Sequence, residues 1–109
     1  MRRMKKRKHK TKVPLETAIG VAWYRPEQWD RLLEISSDTQ ELEDTFDDWK
    51  VMAEENFRKL SQHGYVIRKI DVDVEEMLIW CKLNHRPVNG DSRSEFTLFK
   101  LRELDKKNA

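Results

Sequence analysis

The sequence predicts a helix-dominated α+β fold in the order β-α-α-β-α-α. Its small two-stranded sheet is either covered by helices or completed by a second subunit. Three observations carry this. Residues 17–24 alternate bulky and small apolar side chains, the period of a strand. A helical stripe from Phe46 to Leu60 stops at Gly64. A second apolar run then restarts behind Asp73.

At 109 residues the chain fits one domain. A domain this size buries roughly two thirds of its unfolded surface, enough for a modest core without metal or disulfide staples. Charged residues (39%) match hydrophobic ones (38%), so the outer faces of the helices must be almost wholly charged. Four Trp and four Phe supply core mass in spite of this.

The net charge of +2 hides an asymmetry. Residues 1–12 hold Arg2, Arg3, Lys5, Lys6, Arg7, Lys8, Lys10 and Lys12 with no acid, and read as a disordered basic arm. Residues 13–109 read as one globular body. They keep 14 Lys/Arg against 20 Asp/Glu, a net of −6. The eight arm cations suit non-specific contact with nucleic acid phosphates. Lys5, Lys6, Arg7 and Lys8 also suit a nuclear address in a eukaryotic source. Cys81 is the single cysteine, which excludes an internal disulfide and fits a reducing, cytoplasmic-type compartment. No stretch approaches 18 apolar residues, so no membrane partner is expected.

In the first strand, residues 17–24, Ile19, Val21 and Trp23 share one side and Ala18, Gly20 and Ala22 the other. Being apolar on both faces, it is expected at the centre of the sheet. Its small-residue side would admit a helix or another backbone, which makes a homodimer a candidate assembly. Pro26 suits a first helical position, with Trp29, Leu32 and Leu33 at helical spacing behind it. Residues 36–44 read as a polar connection with one helical turn near 40–43. Thr45 caps the main helix, with Asp48 in a box-like position. Gly64 is expected at C′ in a Schellman ending that joins Leu60 to Tyr65. Residues 65–72 form the second strand, mixed on both faces. Asp73 caps the next helix with Glu76, and Val72 and Met77 staple it. Asn89-Gly90 reads as a turn, and Ser92 with Glu95 as the box of a last helix over 92–105. Residues 96–101 also have strand-like composition.

No catalytic fingerprint stands out, and no metal or cofactor is called for. Cys81 and His85 lie i, i+4 on one helix, a nucleophile spacing, yet Cys81 belongs to the apolar stripe and reads as core. Asp71, Asp73, Glu75 and Glu76 cluster at a strand-to-helix junction, where capping accounts for them better than a magnesium site. Trp23, Tyr24 and Trp29 are fit to stack on a base but stand at core positions. Arg25 and Arg86 each precede a proline near a helix start and, with His85, form the best candidate for an anion site. Glu41, Glu43, Asp44, Asp47, Asp48, Glu54 and Glu55, with only Lys50 among them, form an acidic face. It could receive the basic arm or a basic partner.

The leading expectation is therefore a non-enzymatic interaction or regulatory module. Its acidic body would bind a protein partner or itself, and its basic arm would contact nucleic acid. The alternative is a small enzyme or phosphate-ligand-binding domain using Arg25, His85 and Arg86.

Overall fold

A computed structural model describes residues 18–108. The arm cations Arg2 to Lys12 lie outside them. Alternating bulky and small residues build β1 (Ile19–Trp23). Pro26 opens a 3₁₀ turn, Pro26–Gln28, that runs into α1 (Trp29–Ile35). A second 3₁₀ turn, Thr39–Glu41, falls in the polar connection. Then come α2 (Phe46–Gln62), β2 (Ile67–Asp71), α3 (Val74–Leu83) and α4 (Gly90–Asn108). The fold is the helix-dominated α+β arrangement predicted, in the predicted order.

β1 and β2 are parallel, with Ile19 opposite Ile67 and Trp23 opposite Asp71. Helices cover both faces of this two-stranded sheet. On one face Trp23 stacks edge-on against Trp49 of α2 at 5.3 Å. On the other, a Cβ added to Gly20 would lie 3.3 Å from Leu101 Cδ2 of α4, so the glycine sets how closely that helix approaches. The expected small-residue side is thus filled by this chain's own α4. Covered faces do not make β1 a central strand, however. Among the described residues it has one neighbour, and helices supply the burial that flanking strands were expected to give.

The core is continuous from Trp29, Leu32 and Tyr24 through Trp49 to Val72, Met77, Cys81 and Phe96. Trp29 lies 5.6 Å from Trp49, and Tyr24 5.3 Å from the same ring. Trp29 and Tyr24 are buried and Trp23 packs between Trp49 and Phe57, so these aromatics build core rather than a base-stacking platform.

Local signals set the helix ends. Thr45 Oγ1 accepts from the Asp48 amide at 3.1 Å, and Asp73 Oδ1 from the Glu76 amide at 3.0 Å. Gln28 Oε1 adds a second cap to α3 by accepting from the Val74 amide at 3.1 Å. At Gly64 (φ 89°) both Schellman bonds form, Gly64 N to Ser61 O at 3.0 Å and Tyr65 N to Leu60 O at 3.2 Å. α3 ends the same way with His85 (φ 55°) in the left-handed position and Arg86 N donating to Cys81 O at 2.9 Å.

Both strands are shorter than expected, and the last helix, which holds residues 96–101 as expected, starts earlier. α4 begins at Gly90, because Asn89 Oδ1 accepts from the Ser92 amide at 3.0 Å and caps the helix. The Asn89-Gly90 pair is a helix start, and Ser92 is buried within the first turn. Residues 96–101 are helical: Phe96 and Leu101 turn inward while Leu98 and Phe99 are partly exposed.

Candidate interaction surface

The residues proposed from sequence as an anion site have separate surroundings. Arg25 follows β1 and Asp71 ends β2, so the parallel register sets them side by side. The guanidinium donates twice, Nε to Oδ1 at 3.0 Å and Nη2 to Oδ2 at 2.7 Å. That fork holds the Asp71 carboxyl below the usual range. Arg86 leaves the end of α3 with its guanidinium 5.6 Å from the centre of the Trp80 ring. His85 is exposed. No hydrogen bond or ion pair joins Arg25, His85 and Arg86 among the described residues.

The acidic cluster at the β2–α3 junction is likewise consumed. Asp71 pairs with Arg25, Asp73 caps, Glu75 accepts from Arg31 at 2.7 Å, and Glu76 pairs with Lys100 at 2.8 Å. Cys81 is wholly buried, and burial pushes its thiol up, away from the reactive thiolate form.

The carboxylates between Glu41 and Glu54 behave differently. Glu55 pairs with Arg58, but Glu41, Glu43, Asp44, Asp47, Asp48 and Glu54 form no ion pair among the described residues. Glu41 and Glu43 stand at the rim of a groove of about 400 Å³ between α2 and α4. Its floor is the outer edge of β1, at Gly20, Val21 and Ala22. Met52, Ala53 and Asn56 form the α2 wall, and Ser94 and Thr97 the α4 wall.

At the end by Tyr24, the groove meets a nearly buried ion pair. Arg93 Nη1 and Nη2 each donate to one oxygen of Asp38 at 2.8 Å, and Nη1 also reaches Ser36 Oγ at 3.3 Å. Asp38 Oδ2 further accepts from the Gly90 amide at 3.0 Å. The Arg93 hydrogen bonds hold the Asp38 carboxyl below its ordinary value. Burial pushes the neighbouring Tyr24 phenol up to about 12. Arg93 is therefore neutralised in place, and the same contact pins the 36–44 connection, with its acidic rim, onto the first turn of α4.

Composition alone pointed to the acidic face. Neither the groove nor the Arg93–Asp38 pair had a sequence signal, since each depends on elements some fifty residues apart. Comparison with protein-family models, with curated proteins and with solved structures found no match to this chain.

Proposed function

We propose that this protein is a non-enzymatic interaction module. Its acidic body binds a basic segment of a protein partner, and its basic arm, Arg2 to Lys12, contacts nucleic acid without reading sequence. The observation that carries the reading is the division among the carboxylates. Those at the β2–α3 junction, where chemistry was conceivable, are locked in structural pairs. Glu41, Glu43, Asp44, Asp47, Asp48 and Glu54 have no cation partner among the described residues, and Glu41 and Glu43 stand at the rim of a groove. Uncompensated surface charge of one sign steers and selects a partner of the other. Association with a second copy fits less well, since it would set acidic face against acidic face, and the small-residue side of β1 is already filled by α4.

Two binding experiments test the halves. Calorimetry with a synthetic lysine-rich peptide should show binding that weakens with salt and with Asp47→Asn, Asp48→Asn and Glu54→Gln combined. Unchanged binding by that variant removes the acidic face from the account. For the arm, engagement of all eight cations gives a slope of log K against log salt of about −7 on duplex DNA and about −6 on single strands. Neutralising Lys5, Lys6, Lys8, Lys10 and Lys12 to Gln should flatten it. A salt-insensitive affinity shared by both proteins refutes the arm's role.

A further inference from the structure

The ladder between β1 and β2 uses alternate residues only. Ile19 N donates to Val66 O at 2.8 Å and Val72 N to Trp23 O at 3.1 Å. In a parallel pair this register turns the amides and carbonyls of Ile19, Val21 and Trp23 toward β2. Those of Gly20 and Ala22 then face the opposite way, into the floor of the groove, and they have no hydrogen-bond partner among the described residues. An unpaired strand edge is a template for another strand.

The two edges of the sheet are not equivalent. β2 carries Arg68, Lys69 and Asp71, the charged side chains that blunt an edge. β1 carries no charge from Ile19 to Trp23. Its free edge is recessed between α2 and α4, which leaves the place of a third strand open and walled on both sides.

We propose that this groove takes an extended, lysine- or arginine-rich segment of a partner protein as a third strand, paired through the backbone to Gly20 and Ala22. The inference rests on the reading of the body as a binder of basic segments, and adds how the segment is held. Backbone pairing supplies affinity that is indifferent to sequence, and side chains at alternate positions supply selection. Selection here is by charge. Among the described residues Glu41 and Glu43 have no cation partner at the rim, and the one cation that lines the groove, Arg93, is neutralised by Asp38. A single extended segment fits better than the edge of a second copy. The copy would bring the same acidic rim, and its own α2 and α4 flank its edge as they do here.

The test uses the full chain, ¹⁵N-labelled, and a twelve-residue peptide alternating Lys and Thr. Amide exchange of Gly20 and Ala22 should slow about tenfold or more on saturation, with Val21 and Trp23 little changed. A Glu–Thr peptide should have no effect. Ala22→Pro removes one free-edge donor and none of the β2 ladder, so it should weaken the Lys–Thr peptide about tenfold with the amide spectrum otherwise preserved. Should that variant unfold, Glu41→Gln with Glu43→Gln should weaken binding several-fold on an intact fold. Binding of the Lys–Thr peptide without slower exchange at Gly20 and Ala22 overturns the strand pairing and leaves the acidic-module reading standing. Absence of binding overturns both. Protection of Gly20 and Ala22 before any peptide is added also overturns the proposal. It would assign the groove to this chain's own arm if independent of dilution, and to a second copy if lost on dilution.

Discussion

Replacing Asp38 tests the contact that fixes the groove's acidic rim. The pair it makes with Arg93 is only 10% and 17% exposed at the two side chains. Asp38→Ala removes two charge-assisted hydrogen bonds of 2.8 Å and the acceptor of the Gly90 amide. It also leaves a nearly buried guanidinium without a counter-charge. Breaking a buried pair from one side costs about 3–5 kcal/mol, and the open groove beside this one places it near the lower end, about 3 kcal/mol. With a urea slope of about 1.5 kcal/mol/M, the midpoint should fall by about 2 M. A cycle with Arg93→Met should return a coupling of about 2 kcal/mol, because the second substitution removes the stranded charge. The pH dependence has a definite sign. Asp38's carboxyl is depressed in the folded state, so its contribution is present above the ordinary carboxylate value and is lost as pH falls through the lowered one. Asp38→Asn should remove that portion of the acid dependence. Asp71 and Glu55, also depressed by arginine partners, titrate alike in both proteins and drop out of the difference. A loss below about 1 kcal/mol with unchanged acid dependence would refute the reasoning.

Three further outcomes are expected. His85→Gly places glycine in the left-handed position that ends α3 and should stabilise by about 0.5–1 kcal/mol, raising Tm by a few degrees; calorimetry showing a lower Tm contradicts the Schellman assignment. Gly20→Val pushes methyl groups toward Leu101 and Ile70, already 3.3 and 3.5 Å from a single added Cβ, and should cost about 1–3 kcal/mol by urea titration. Cys81 should resist alkylation in the native protein, its modification rate following global unfolding across denaturant; rapid native labelling would contradict its burial.

What the sequence shows well here is what is settled within a few residues. Thr45, Gly64 and Asp73 act where they stand, and their caps formed as expected. The start of α4 was not legible, because Asn89-Gly90 suits a turn and a helix start equally. Docking of Asp38 on the Gly90 amide and Arg93, from more than fifty residues away, accompanies the helical choice. The anion-site residues illustrate the same limit from the other side. Arg25 looks free in the sequence, and only the register of two distant strands brings Asp71 to it. β1 was expected at the sheet centre because apolar residues line both faces, a pattern that helices satisfy as well as strands do. The acidic face was visible as composition, while the groove it borders exists only once α2 and α4 stand on opposite sides of β1.

The open edge of β1 is the claim on which the interaction surface depends. Hydrogen exchange on the dilute, unliganded full chain measures it residue by residue. Slow exchange is expected at Val21 and Trp23, whose amides the parallel register turns toward β2, and fast exchange at the intervening Gly20 and Ala22. Equal protection at all four positions in the dilute monomer would contradict it.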